Sequence, residues 1–152
     1  MIFRFNKKKY KGIWFFGLSG SGKTYFSEKI KSKIKNYVLV DGDNVRKLIS
    51  TDLNYSKVHR KIQISRVLGI ARLIIESNKF PIISTVYMDK NISYLCKKNK
   101  IMCVMILRKD FGKIKKNFII YKKKNVVGKD IFYENFKKIE LINDNSPLIF
   151  RC

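Results

Sequence analysis

The stretch Gly17-Leu18-Ser19-Gly20-Ser21-Gly22-Lys23-Thr24 has the spacing of a phosphate-binding loop, G-x-x-x-x-G-K-[ST]. Its glycines allow the backbone to curl, so that successive N–H groups point at phosphate oxygens. In this pattern Lys23 reaches the β- and γ-phosphates of a nucleotide such as ATP, and the hydroxyl of Thr24 can coordinate Mg²⁺. The loop therefore predicts a site for ATP and Mg²⁺.

The residues on either side of the loop support this interpretation. Ile13–Phe16 is a short apolar run, which is typical of a buried strand. After the loop, Phe26, Ile30 and Ile34 recur at helical spacing. Strand, loop and helix in this order place the helix N-terminus under the phosphates. A chance match in a loop rich in glycine and serine would require neither flanking element.

Apolar runs of strand length alternate with helical patterns along the rest of the chain. We predict strands at 13–16, 37–40, 80–85, 101–107 and 140–142, and helices at 23–35, 44–49 and 56–77. The second half of the long helix, Val67–Ile75, is apolar nearly all round, which predicts burial. Residues 109–129 are basic and weakly periodic, which suggests a mobile lid.

Alternation of this kind predicts an α/β fold of the phosphate-loop NTPase type, with a mostly parallel sheet and helices on both faces. Ligands in such sheets bind at the carboxyl ends of the strands. The loop, Asp41–Asn44 and Arg108 all follow strands, so we expect them at one crevice. A chain of 152 residues is expected to form one domain.

The net charge of +23 raises the question of a polyanionic partner, either a nucleic acid or an anionic membrane. Seven of the 34 basic residues are Arg, which leaves 27 Lys. Lys, Ile, Asn, Tyr and Phe use AT-rich codons, so genomic drift explains the bias without selection for binding. The lysines are also scattered, which favours solvated faces over a nucleic-acid surface. A small nucleotide is the expected partner.

The cysteines and the apolar segments bear on the compartment. Cys96, Cys103 and Cys152 form no Cys-x-x-Cys pair, which suits a reducing cytoplasm. The apolar run at 13–16 is too short for a signal peptide or a membrane span. We therefore expect a cytoplasmic protein without a membrane anchor.

The motif Asp41-Gly42-Asp43 ends the second long strand with two carboxylates. A phosphoryl acceptor hydroxyl needs a carboxylate that orients it or takes its proton, and Mg²⁺ needs an anionic or water-mediated partner. Asp43 suits the first role and Asp41 the second. A turn that caps the next helix is the structural alternative.

Arginine is scarce, so Arg46, one turn beyond Asp43, stands out against the lysine background. Arg60 and Gln63 are three residues apart on the predicted long helix and therefore share a face. Guanidinium groups bind phosphate-like oxyanions in a bidentate manner. Arg66 follows a turn later, where an exposed structural arginine is an equal alternative.

These motifs together resemble those of adenylyl-sulfate kinases. The family's second motif reads D-G-D-N-x-R, as at 41–46, and its third reads D-L-G-F-S, against Asp52-Leu53-Asn54-Tyr55-Ser56 here. Arg60 follows at the family's spacing. Residues 125–130 and Tyr133-Glu134 resemble its N-F-T-G-I-D…Y-E. The similarity extends over residues 12–143.

The resemblance implies an ATP-dependent kinase that acts on the ribose 3′-hydroxyl of adenylyl sulfate. Asp43 would orient or deprotonate that hydroxyl, Arg46 and Arg60 would hold the phosphosulfate, and Tyr55 would stack on the base. On the ATP side, Arg108 would pack on adenine, and Lys115 and Lys116 would close over the phosphates. A homodimer is also implied by the family.

The departures from the family cluster where the acceptor binds. The family's Asn is Gln63, its F-I-S-P segment is Val86-Tyr87-Met88-Asp89, and its lid phenylalanine is Val126. Loss of an aromatic wall weakens a purine site, because base stacking is worth about 1–3 kcal/mol. Either drift has left adenylyl sulfate as the acceptor, or another nucleotide has replaced it. The sequence alone leans to a relative's acceptor, cytidine diphosphoramidate, used in capsule biosynthesis.

Two other classes of function remain open from the sequence. A basic nucleic-acid-binding NTPase would use the positive surface, although no RNA-binding signature is present. A decayed, non-catalytic nucleotide-binding subunit would fit the altered acceptor residues. Intact Lys23, Thr24 and Asp43 argue against decay.

Overall fold

The computed structural model describes residues 2–136, 138–143 and 149–151. Its strands are β1 (Ile2–Arg4), β2 (Gly12–Phe16), β3 (Tyr37–Asp41), β4 (Phe80–Thr85), β5 (Ile101–Arg108), β6 (Ile139–Asn143) and β7 (Ile149–Arg151). Its helices are α1 (Lys23–Lys31), α2 (Gly42–Leu48), α3 (Lys57–Glu76), α4 (Lys90–Lys98) and α5 (Phe111–Asn117), with a 3-10 turn at Ile119–Lys122.

Five strands form one sheet in the order β3-β4-β2-β5-β6, and every neighbouring pair is parallel. β1 and β7 form a separate parallel pair. The predicted parallel α/β fold is therefore confirmed. Since all five strands of the main sheet point the same way, their carboxyl ends, with the residues that follow, meet at one edge.

Strand β2 shows why both faces of the sheet are covered. Ile13 and Phe15 point to a core that also contains Phe26 of α1, while Trp14 and Phe16 belong to a second core on the opposite face. Successive side chains of a strand alternate between faces, so an unbroken apolar run signals burial on both. All four side chains are fully buried.

The expected burial of residues 67–75 holds for only one face of α3. Val67, Leu68 and Ala71 are buried, whereas Leu73 is 65% exposed. Because α3 covers the sheet as an outer layer, it buries a single stripe and leaves the opposite side in solvent. The expectation of burial all round is wrong for this reason.

Two regions contain helices that the sequence analysis did not predict. Helix α4 begins at an Asp89 cap, whose Oδ1 accepts a hydrogen bond from the N–H of Ile92 at 2.8 Å. Ile92 and Cys96, one turn apart, anchor it in the core. Within 109–129, the chain forms α5 and the 3-10 turn. The rings of Phe111 and Tyr121, one from each, pack edge to face with their centroids 5.7 Å apart.

Within the described residues, no helix combines the length and the apolar character that crossing a membrane requires.

Candidate active site

A cleft of about 700 Å³ opens at the carboxyl edge of the sheet. The phosphate loop forms one wall, and the start of α2, the first turns of α3 and the end of β4 form the others. The segment at 123–127 contributes Lys123, Lys124, Val126 and Val127. The loop thus meets Asp41 and Asp43 in one crevice as predicted, whereas Arg108, predicted at the same crevice, does not line it.

The phosphate loop is braced by the end of β6 and by the segment that follows β5. Gly22 has φ +100°, a conformation that favours glycine, and a Cβ there would collide with Asn143 Nδ2. Asn143, at the end of β6, donates to Ser21 O at 2.9 Å. The Tyr121 hydroxyl donates to Ser19 O at 2.9 Å, which ties residues 109–129 to the loop.

Lys23 lies inside this loop and bonds to its carbonyls. Its Nζ donates to Gly17 O at 2.9 Å and to Leu18 O at 3.0 Å. Burial lowers the pKa of Lys23 to about 8, although the nearby carboxylates of Asp43 and Asp41 act to raise it. The ammonium lies at the start of α1, where the N-terminus of the helix favours phosphate oxygens.

This lowered pKa predicts that binding of a nucleoside triphosphate by the loop depends on pH. Below about pH 8 Lys23 is charged and can pair with phosphate. As the pH rises through about 8, the unliganded chain loses this proton, so we expect the Kd for ATP to increase. Calorimetric titration over about pH 7 to 9.5 checks this. The Lys23→Met variant should bind ATP weakly at every pH, with no increase in Kd as the pH rises. A wild-type Kd that stays constant over this range would contradict the role assigned to Lys23.

Asp41 and Asp43 have different surroundings. Asp41 Oδ1 caps α2 by accepting from the N–H groups of Asp43 at 2.9 Å and Asn44 at 3.1 Å, and Oδ2 accepts from Ser84 Oγ at 3.1 Å. The Asp43 side chain lines the cleft and has no hydrogen-bond partner among the described residues. The capping alternative thus applies to Asp41, whereas Asp43 remains available to a ligand.

The donor set suits a magnesium ion held jointly with a nucleotide. Within the described residues, no three His, Cys, Asp or Glu side chains group as metal ligands. Thr24 lines the cleft, and Asp41 has accepting capacity left on Oδ2 for a metal-bound water. Mg²⁺ usually keeps several waters and binds through few protein ligands and substrate phosphates, so these residues fit it.

Tyr55 forms the centre of a cationic wall. Its ring is 51% exposed, and the guanidinium carbons of Arg46 and Arg60 lie 4.5 Å and 5.3 Å from the ring centroid. Arg46 donates to Asn54 O at 2.8 Å, and Arg60 donates to Tyr55 O at 3.1 Å. Two positive charges therefore flank an aromatic face that solvent reaches.

The first two turns of α3 carry the predicted polar face. Arg60 and Gln63 are both buried and both line the cleft, which confirms that they share a face. Gln63 Nε2 donates to Gly42 O at 3.1 Å. Arg66 does not line the cleft; it pairs with Asp52 through two contacts of 2.6 and 2.8 Å and lowers the pKa of that carboxyl to about 2.

The predicted lid residues lie at different distances from the cleft. Arg108 donates to Gly20 O at 3.1 Å and to Asp110 at 2.7 Å, and Lys115 donates to Gly128 O at 3.2 Å. Arg108, Lys115 and Lys116 are absent from the cleft wall, whereas Val126 lines it and is buried.

Sequence reasoning missed several residues of the cleft wall. Lys123 and Lys124 line it, and their lysine run gave no signal against the basic background. Ser50, in the loop after α2, and Tyr87, just after β4, also line it. The departure from F-I-S-P at 86–89 was a signal that could have pointed to Tyr87.

The parallel sheet, the loop at the β2–α1 junction and the cleft above it define a phosphate-loop α/β protein of the nucleotide-binding class. A family model described as adenylylsulphate kinase matches residues 9–101. This match covers more than half of the chain, and the chain belongs to the adenylylsulphate kinase family.

Individual relatives agree with this assignment. The chain is 32% identical over 83 residues to the adenylyl-sulfate kinase of Buchnera aphidicola, covering 52% of this chain and 39% of the relative. It is 38% identical over 77 residues to a probable adenylyl-sulfate kinase of Halalkalibacterium halodurans, covering 47% and 36%. The matched segments thus span less than half the length of these curated relatives.

A solved structure shares the fold over nearly the whole chain. The APS kinase CysC of Mycobacterium tuberculosis, solved in complex with AMPPNP and APS, superposes with a TM-score of 0.75 at 22% identity. The superposition covers 91% of each chain. The architecture therefore extends beyond the segment that sequence comparison aligns.

Proposed function

We propose that the chain is an ATP-dependent kinase that transfers the γ-phosphoryl group of ATP to the ribose 3′-hydroxyl of adenylyl sulfate. The observation that carries the proposal is that one cleft is lined both by the loop lysine Lys23 and by Asp43, whose carboxylate has no hydrogen-bond partner among the described residues. Membership of the adenylylsulphate kinase family supports the choice of reaction.

The loop side of the cleft would bind ATP. Lys23 and the backbone N–H groups of residues 17–24 would hold the β- and γ-phosphates, and Thr24 would hold Mg²⁺ with Asp41 acting through a water. When bound, Mg²⁺ would neutralise charge that develops on the transferred phosphoryl group. Lys23 would donate to oxygens of the same phosphoryl group once its ammonium no longer bonds to the carbonyl oxygens of Gly17 and Leu18.

The opposite side of the cleft would bind the acceptor. Arg46 and Arg60 would hold its phosphosulfate, and the exposed face of Tyr55 would stack on its base. Asp43 would accept the proton of the attacking hydroxyl or orient it, since its carboxylate has no hydrogen-bond partner among the described residues. Gln63 and Val126 would complete this wall.

Residues 109–129 would serve as the lid that excludes water from the transfer. Arg108, held at the edge of the loop by its bond to Gly20 O, would pack on the adenine, and Lys115 and Lys116 would approach the phosphates after movement of this segment. Lys123 and Lys124 already line the cleft and would supply positive charge there. A homodimer remains the expected assembly.

The relatives bear on the choice of acceptor. The curated relatives quoted above are named adenylyl-sulfate kinases, and the quoted solved structure contains APS. The lean of the sequence towards cytidine diphosphoramidate and capsule biosynthesis has no such support. Val126 in place of the lid phenylalanine then represents a weaker wall around the same base.

The test is release of ADP with Mg-ATP and each acceptor, adenylyl sulfate and cytidine diphosphoramidate, in parallel reactions. We expect turnover with adenylyl sulfate. Turnover with the cytidine compound alone would overturn adenylyl sulfate as the acceptor, but the assignment as a kinase would stand. A third reaction with single-stranded RNA tests the NTPase alternative, which predicts RNA-stimulated ADP release that falls steeply with salt.

A further inference from the structure

The chain has one histidine, His59, and its side chain bonds to the loop between α2 and α3. His59 lies in the first turn of α3 and is half-buried. Its Nδ1 accepts a hydrogen bond from the backbone N–H of Asn54 at 2.9 Å. Asn54 directly precedes Tyr55, the exposed aromatic residue of the cationic wall. His59 therefore contacts the loop that presents this ring to the cleft.

The backbone of Asn54 is held from two sides. His59 accepts from its N–H, and the Arg46 guanidinium donates to its carbonyl oxygen at 2.8 Å. The side chain of Asn54 also accepts from the N–H of Ser56 at 2.9 Å, which closes a local turn around Tyr55. Because this loop belongs to no helix or strand, these bonds fix the direction in which the Tyr55 ring leaves it.

The bond from Asn54 requires that Nδ1 of His59 carries no proton. A neutral imidazole has one donor nitrogen and one acceptor nitrogen, whereas both nitrogens of an imidazolium donate. Protonation would therefore place one N–H against another and remove the bond. Histidine is the side chain that changes charge between about pH 5 and 8, so a mildly acidic solution is sufficient for this change.

The charged groups on the elements that meet at His59 are mostly positive. Positive side chains come from α2 (Arg46), from α3 (Lys57, Arg60) and from the opposite wall of the cleft (Lys123, Lys124). Asp52, in the same loop, interacts electrostatically with the imidazole, but it is paired with Arg66. A second carboxylate at the start of α3, Glu134, pairs with Lys61. An imidazolium would add a further positive charge here, and the shared Asp52 would compensate only in part for the lost bond.

We propose that His59 is a positioning residue for Tyr55, and that protonation of its imidazole releases the loop and weakens binding of the acceptor. The inference rests on the proposed kinase function, since that function assigns Tyr55 to the base of the acceptor. The effect is distinct from that of Lys23, because Lys23 stays charged below about pH 8 and acts on ATP. We therefore expect the KM for the acceptor to rise as the pH falls, with kcat and the KM for ATP independent of His59.

His59→Asn tests the proposal, because the asparagine Oδ1 can take the place of Nδ1 as an acceptor but does not titrate. At about pH 8 the acceptor KM of the two chains should agree within about twofold. Between about pH 8 and pH 5.5 the wild-type acceptor KM should rise about three- to tenfold more than that of His59→Asn, which corresponds to one lost hydrogen bond. Comparison of the two chains at each pH removes the titration of the substrates, which both reactions share.

Two further variants separate the imidazole from the helix that carries it. His59→Ala has no acceptor atom and should show the raised acceptor KM at every pH. Ser56→Ala is the matched control, since Ser56 Oγ caps α3 by accepting from the N–H of His59 at 3.3 Å. It should lower the melting temperature and keep the wild-type pH dependence. Loss of the pH dependence in Ser56→Ala would assign it to the stability of the helix start and overturn the proposal.

NMR of the unliganded chain gives a readout that needs no turnover. The amide resonance of Asn54 should shift with the same midpoint as the imidazole resonances of His59, and this shift should be absent from His59→Asn. Equal acceptor KM profiles for wild type and His59→Asn, or a wild-type acceptor KM in His59→Ala, would overturn the role of His59. Absence of transfer by the wild-type chain to any acceptor, with the Asn54 shift present, would instead overturn the proposed function. The two failures are therefore distinguishable.

Discussion

Lys23→Met is expected to lower kcat for phosphoryl transfer by at least about 10²–10³-fold, which is the loss typical of a single preorganised donor at a developing negative charge. Lys23 is the loop side chain that reaches the β- and γ-phosphates, and in the cleft it sits at the start of α1. Methionine keeps the length of the side chain and removes the charge. Steady-state ADP release with saturating acceptor measures the effect.

The Lys23→Met chain should remain folded. Its thermal stability should not fall, because the substitution removes a buried ammonium whose pKa burial has already lowered. Lys97→Met, on the exposed side of α4, is the matched control and should retain wild-type kcat. A folded Lys23→Met chain with kcat within tenfold of the wild type would contradict the role of the loop.

Asp43→Asn is expected to lower kcat by about 10²–10⁴-fold, the range for loss of a general base, while the Kd for ATP changes less than about twofold. The amide retains the shape of the side chain but cannot take the proton of the acceptor hydroxyl. Because the Asp43 carboxylate has no hydrogen-bond partner among the described residues, its replacement should leave stability unchanged. Single-turnover kinetics and calorimetry separate the two quantities.

Asp41→Ala is the companion to this variant, since the two carboxylates are two residues apart. Asp41 caps α2 through two backbone N–H groups, and loss of a cap costs about 0.5–2 kcal/mol in the free energy of unfolding. Urea denaturation should therefore show a loss for Asp41→Ala and none for Asp43→Asn. A near-normal kcat in Asp43→Asn would show that another group handles the proton.

The main elements of the fold could be predicted because their signals are local. The strand at Phe80–Thr85 is an unbroken apolar run, and its observed bounds coincide with the prediction. Helix α4 was missed because only Ile92 and Cys96 are buried among charged residues. The face of α3 that carries Leu73 was predicted buried because its sequence is apolar, although it has no layer above it in the described chain.

The residues of the candidate site also differ in whether a local sequence signal predicts them. Lys23, Thr24 and Asp43 were predicted at the cleft, because their motifs join a residue type to a local backbone geometry. Tyr87, Ser50 and Lys123 were not, because their arrival at the cleft depends on how the end of β4, the loop after α2 and residues 109–129 pack against α3. No spacing in the sequence encodes that packing.

The most direct test of the proposed reaction is the identity of its products. Mg-ATP and adenylyl sulfate are incubated with the wild-type chain, and ³¹P NMR follows the transferred phosphorus. We predict equimolar ADP and a new phosphate monoester on the ribose 3′-oxygen of adenylyl sulfate, with little inorganic phosphate. Inorganic phosphate in place of the ester, or no consumption of ATP, would contradict the assignment of this chain as a kinase of adenylyl sulfate.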